Sequence, residues 1–109
     1  MKVKEKDEHI VVIKKSSETT QELAEKIMEQ YHSFSTKNLV IDLHEEEVRP
    51  STIVHFEELA HMHLNNKKSF VIVATIDFDE MDDAIIIVPT IQEAYDIIQM
   101  EEIERDLGF

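Results

Sequence analysis

The sequence predicts an α/β domain: a mixed sheet that opens with an N-terminal hairpin and continues in parallel strands, with crossover helices between them. Three observations carry this reading. Short runs rich in β-branched residues recur along the chain as "HIVVIKK", "NLVIDL", "SFVIVA" and "IIIV", the composition of strands. Between them lie stretches whose apolar residues repeat at helical spacing. Alternation of the two implies crossover connections and hence parallel pairing. With 109 residues the chain can close one hydrophobic core and not two, so a single domain over 1–109 is expected.

Taken in order, "KVKEK" at 2–6 and "HIVVIKK" at 9–15 are separated only by Asp7 and Glu8, which reads as a hairpin. In "SSETTQELAEKIMEQYHSF" the period changes: Leu23, Ile27 and Tyr31 fall at i, i+4 and i+8 with Ala24 and Met28 beside them. Thr19 and Glu22 are spaced as a capping box, so an amphipathic helix starts there. "NLVIDL" at 38–43 is continuously apolar in the way of a strand covered on both faces. The glutamate run 45–47 follows as a connection, and a second helix is expected from about Ser51 to Asn65. On a helical wheel its Ile53, Phe56, Ala60 and Leu64 share one face, flanked by Leu59 and His63, while Glu58 and His61 point away. A third strand at 69–74, an acidic connection "TIDFDEMDDA" and a fourth strand at 85–88 come next. Thr90 and Glu93 open a last helix with a second capping box, which "MEEIERDLGF" extends, Glu101 and Arg105 standing at i, i+4. Gly108, the only glycine, sits where a left-handed residue ends a helix most easily.

Charge is distributed unevenly. Residues 1–76 carry 13 acidic and 10 basic side chains, whereas 77–109 carry 11 acidic side chains against Arg105 alone. Such an anionic surface repels nucleic acid, whose affinity for proteins comes mainly from Lys and Arg at the phosphates; a protein partner with a basic patch suits it better. The longest apolar runs, Ala84 to Val88 and Phe70 to Ala74, are far below the ~20 residues of a membrane span. No secretory signal pattern opens the chain, so a cytoplasmic address is expected. Without cysteine there is no thiolate chemistry and no disulfide. Lack of glycine before position 108 argues against phosphate-wrapping loops and a serine held on a strained elbow.

The remaining chemistry-bearing residues favour no enzyme. Histidines 61 and 63 in "HMH" differ by about 200° on a helix and cannot converge on one ion. The zinc-hydrolase pattern His-x-His-x-Asp-His would need Asp and His at 65 and 66, where this chain has Asn65 and Asn66. Asp77, Asp79, Asp82 and Asp83 imitate a calcium loop but lack its glycine and its terminal glutamate, Val88 standing in that place, so they read as a solvated acidic turn. With 24 acids in the chain, carboxylate pairs arise by chance and none is singled out for acid–base work. No cofactor is indicated.

The block "NLVIDLHEEEVRPSTIVHFEELAHMHLNNKKSFVIVA", followed by "IIIV" and a final helix, resembles the STAS domain of bacterial anti-sigma factor antagonists and sulfate transporter tails. The likeness lies in the order of elements rather than in signature residues. More narrowly, "KKSFVIVA", "VPT", "EAYDII" and "EEIERDLGF" are similar to a group of short bacterial proteins labelled ribonuclease Z, although the zinc motif of that enzyme is missing here. The STAS resemblance implies a regulatory protein-interaction module. Antagonist STAS domains carry Asp-Ser-Ser-Gly where a strand enters a helix, with a phosphorylated serine; the matching stretch here is Arg49, Pro50, Ser51, Thr52, so only Ser51 carries over. Arg49, Thr52 and His55 beside it are the implied partner-binding residues. A plain N-cap explains Ser51 equally, since serine is preferred there. The alternative functions are an accessory role in tRNA processing and a small-ligand or lipid-binding role.

Overall fold

The computed structural model describes residues 1–76 and 85–108, the side chains at 44–48, 50 and 76 excepted. Its elements are β1 (Lys2–Lys6), β2 (His9–Ile13), α1 (Thr20–Glu29), β3 (Asn38–Val48), α2 (Pro50–Ile53), α3 (Glu57–Asn65), β4 (Phe70–Ile76), β5 (Ile86–Val88) and α4 (Ile91–Asp106). Single 3-10 turns at Tyr31–Ser33 and Val54–Phe56 complete them. One sheet runs in the order β1-β2-β3-β4-β5. β1 lies antiparallel to β2, and the remaining three pairs are parallel. This is the mixed sheet that the strand and helix alternation predicts. Asp7 takes φ 55 in the two-residue hairpin turn, a left-handed conformation that aspartate tolerates better than most side chains.

The faces of the sheet follow from the connections. The β2–β3 and β3–β4 crossovers each advance one strand in the same direction, and with the same hand they place α1 and the α2–α3 segment on one face. There Ile10, Val12, Leu39, Ile41, Phe70 and Ile72 pack under Leu23, Ile27, Phe56 and Leu59. α4 is not a crossover. It covers the opposite face, where Val11, Val40, Val71 and Val73 meet Ala94 and Ile98. Strands sandwiched in this way are apolar at successive positions, which explains the continuous runs in β3 and β4. The edge strand β1 is exposed at all five positions, and its lysines discourage another strand from adding to it.

Helix ends follow local chemistry closely. Thr19 Oγ1 accepts from the Glu22 amide at 3.1 Å while Glu22 Oε1 accepts from the Thr19 amide at 3.0 Å, the reciprocal pair of a capping box. Thr19→Ala should therefore cost about 1 kcal/mol in urea unfolding, without changing the slope of the transition. At the start of α4, Thr90 Oγ1 accepts from the Glu93 amide at 3.1 Å, and its own hydroxyl donates to Glu93 Oε2 at 3.3 Å. Here the side chains meet each other, and the cap differs from the first. Gly108 takes φ +82 just past the helix, with its amide donating to the Arg105 carbonyl at 3.1 Å.

Three sequence expectations are corrected. β3 does not stop at Leu43 but continues through the glutamates to Val48. After Asp42↔Val73 its pairing shifts register and resumes at Glu47↔Thr75 and Val48↔Ile76. Glutamate has little strand preference, but the β3-facing backbone groups of β4 at Thr75 and Ile76 supply a ladder that propensity does not weigh. The second helix opens at Pro50 rather than Ser51, because the fixed φ of proline suits the first helical position. Finally, Leu64 is 40% exposed whereas His63 is fully buried. The 3-10 turn at Val54–Phe56 advances each residue by about 120° instead of 100°. Over three residues this rotates the following helix by about 60°, carrying His63 inward and Leu64 out.

Candidate functional site

The junction between β3 and α2 presents the residues that the sequence singles out. Ile53, 1% exposed, anchors the segment in the core, leaving Arg49, Ser51 and His55 exposed and Thr52 half-buried. Ser51 is the second residue of α2, not its cap. The Arg49 carbonyl accepts from the amides of Thr52 and Ile53 at 2.9 and 3.1 Å, and Pro50 has no amide hydrogen. The serine hydroxyl is therefore presented outward on a helix of four residues. Four residues on, His55 lines a shallow groove of about 190 Å³ between α1 and the turn before α3. Gln21, Glu25 and Met28 form its α1 wall, and Glu58 faces them. The groove thus has an apolar floor at Ala24 and Met28 and two carboxylates, Glu25 and Glu58. Sequence reasoning located His55 but missed the α1 wall. Residues 21, 25 and 28 recur at helical spacing opposite the buried Leu23 and Ile27, which is the signal that could have found them. Asp77, Asp79, Asp82 and Asp83 lie outside the described residues.

Glu18, 6% exposed, closes the loop between β2 and α1. Its Oε1 accepts from the Lys15 amide at 2.8 Å, and its Oε2 lies 2.7 Å from Lys26 Nζ. The amino group of Met1 stands 3.0 Å away. Burial pushes the carboxyl group upward, but the Lys15 amide, the Lys26 ammonium and the amino group outweigh it and hold it at about 2. A folded value below the ordinary one stabilises the native state above pH 4.5 and loses that contribution as pH falls toward 2. Glu18→Gln should accordingly melt below the parent protein at pH 7, with the gap narrowing through that acid window. Thermal melts at successive pH values measure it.

A second polar chain runs through the core. His63 Nε2 is 2.7 Å from the Lys37 carbonyl and Nδ1 is 2.7 Å from the Tyr31 hydroxyl. A carbonyl can only accept, so Nε2 carries the proton and the tyrosine donates to Nδ1. Asn66 Nδ2 in turn donates to the Tyr31 oxygen at 3.0 Å. Burial lowers the His63 pKa, opposed by its bond to Lys37 and assisted by the charges of Lys68 and Arg105. The imidazole is a neutral strut between α3 and the entry to β3. His61, by contrast, is exposed, so the two histidines of "HMH" diverge.

At the amino-terminal edge of the parallel strands, Asn38 is 2% exposed. Its Oδ1 accepts from the Ser69 amide at 2.9 Å, and its Nδ2 donates to Glu102 Oε1 at 3.0 Å. Arg105 Nη2 reaches Ser69 Oγ at 3.1 Å, which directs this arginine to β4. These bonds fasten α4 across β3 and β4. A polar cleft of about 280 Å³ opens beside them, between Lys67, Lys68, Glu102 and Asp106. Its buried polar groups are already occupied with one another, as a structural network requires.

Among the described residues no group of three or more His, Asp or Glu could hold a metal ion, and no helix is long and apolar enough to cross a membrane. The arrangement available is an exposed, acid-flanked groove next to an outward serine. Comparison of the chain with protein-family models, with curated proteins and with solved structures returns no match.

Proposed function

We propose that the chain is a non-enzymatic, STAS-like regulatory module that binds a protein partner through the groove between α1 and α2–α3. The observation that carries this reading is the groove itself: buried Ala24 and half-buried Met28 beside Glu25, Glu58 and His55. Apolar contact flanked by carboxylates suits a partner segment with one apolar side chain and neighbouring Lys or Arg, consistent with the excess of acid in the whole chain. Ser51 stands four residues before His55 in the chain and is exposed. Phosphate there would add about two negative charges next to Arg49. Its short helix offers little further stabilisation, so the effect would fall on the partner rather than on the fold.

The test is comparative capture. Immobilised parent protein, a Glu25→Lys/Glu58→Lys variant in the groove and a Gln92→Lys control on the far face are incubated with lysate, and the bound proteins are identified. The expected result is a protein retained by the parent and the control and reduced at least tenfold by the double variant. Ser51→Asp should reduce the same protein. Equal retention by all four would remove the groove from consideration.

A further inference from the structure

We propose that the polar cleft at the amino-terminal edge of the parallel strands binds a small zwitterion, a free α-amino acid, with its ammonium toward β2 and its carboxylate toward β4. None of the residues of the groove above takes part, so the two readings stand or fall separately. The cleft measures about 280 Å³, at the small end of the roughly 300–1,000 Å³ of ligand pockets. An amino acid is of that scale, and a nucleotide is larger.

The charges lining the cleft set the class of ligand. Its carboxylates are Glu8, Glu102 and Asp106, and its cations are Lys67, Lys68 and Arg105. The two signs are segregated. Glu8 belongs to the β1–β2 turn, and Glu102 and Asp106 also line the neighbouring groove that contains His9 of β2. Lys67 and Lys68 lead into β4, and Arg105 Nη2 is held at 3.1 Å to Ser69 Oγ just before that strand. β3 runs between β2 and β4, and its first residue, Asn38, is the buried floor. Among the described residues none of these six charged groups forms an ion pair. An anion in the cleft would meet three carboxylates, and a cation would meet three positive groups. A molecule carrying both charges finds its complement on each side.

The floor is fixed and leaves the required groups open. Asn38 Nδ2 donates to Glu102 Oε1 at 3.0 Å, and Glu102 Oε2 makes no hydrogen bond among the described residues. Asp106 stands four residues further on, on the same side of α4. The helix ends there, and the free carbonyls of a helix end favour an ammonium group. Opposite, Arg105 has five N–H groups, and its one hydrogen bond among the described residues is that to Ser69. The others suit a carboxylate. Lys67 takes φ 60 at the end of α3, a left-handed conformation that glycine and asparagine adopt more readily. What lysine supplies at that position is charge beside the cleft.

The test titrates each of the common free amino acids into the isotope-labelled full chain while the amide resonances of Lys68, Ser69 and Glu102 are followed. At least one amino acid should shift them saturably. Its N-acetyl derivative, which lacks the ammonium, and its amide, which lacks the carboxylate, should each bind at least tenfold more weakly. Lys67→Asn suits the backbone better and should melt no lower than the parent, yet lose at least tenfold in affinity; Asp106→Asn should lose as much. Titrations without saturation for every amino acid overturn the proposal. So does a blocked derivative that binds as tightly as the free amino acid, or full affinity in Lys67→Asn. Inorganic phosphate shifting the same resonances with equal affinity also overturns it, because the cleft would then be a plain anion site.

Discussion

Replacing Phe56 with alanine should remove about 3–5 kcal/mol of stability, the usual cost of deleting a buried aromatic and leaving its space unfilled. Phe56 is 0% exposed and belongs to the larger core cluster. It ends the 3-10 turn on which the rotation of α3 depends. A domain of this size has about 5–15 kcal/mol to lose, so the variant should unfold at much lower urea concentration. Its consequence reaches the surface as well. Val54 and His55 occupy the same turn, and with the anchor gone their orientation relaxes. In comparative capture, Phe56→Ala should therefore lose the partner even at temperatures where it remains folded. Folded Phe56→Ala with full retention would mean that the turn is held by other contacts, Ile53 and Leu59 being the candidates.

Replacing His63 with leucine should cost about 2–4 kcal/mol, because the buried Lys37 carbonyl and the Tyr31 hydroxyl both lose their partner. The leucine is apolar and similar in bulk, so the penalty is one of unpaired polar groups rather than of lost volume. Tyr31→Phe removes only the hydroxyl and should cost about 1 kcal/mol; the double variant should cost less than the sum, since the groups act on each other. The pH dependence has a definite sign. Burial lowers the His63 pKa in the folded chain, so between that value and 6.5 the unfolded chain binds more protons. Stability contributed by neutral His63 is complete above pH 6.5 and lost as pH falls below it. The stability difference between the parent and His63→Leu should shrink with acidification, measured by urea melts between about pH 7.5 and pH 5. A difference constant over that range would show that the imidazole is not held neutral.

Much of this fold was legible in the sequence because its signals are local. Strand identity came from β-branched runs, the two long helices from the period of their apolar residues, and the helix starts from Thr19 and Thr90, whose side chains reach only three residues on. The left-handed end at Gly108 is of the same kind. Less of the site was legible. Arg49, Ser51 and His55 were expected at the surface beside the strand exit and are exposed there. The α1 wall that turns His55 from a lone side chain into part of a groove comes from more than 25 residues away in the sequence, read directly from the positions of Met28 and His55. The spacing of residues 21, 25 and 28 marks the outward face of α1, but nothing within that element tells that His55 meets it.

Local chemistry, then, determined which segments of this chain became strands and helices, and the alternation of segments determined that the sheet is mixed and mostly parallel. Tertiary structure alone decided how far β3 runs, that His63 and not Leu64 enters the core, and that Asn38, Ser69, Glu102 and Arg105 meet. The physical reason is common to all three. A ladder partner and hydrogen bonds joining β3, the start of β4 and α4 depend on groups far apart in the chain, a change of twist in one turn depends on how its anchor packs, and each is strong enough to override the modest preferences of the residues themselves.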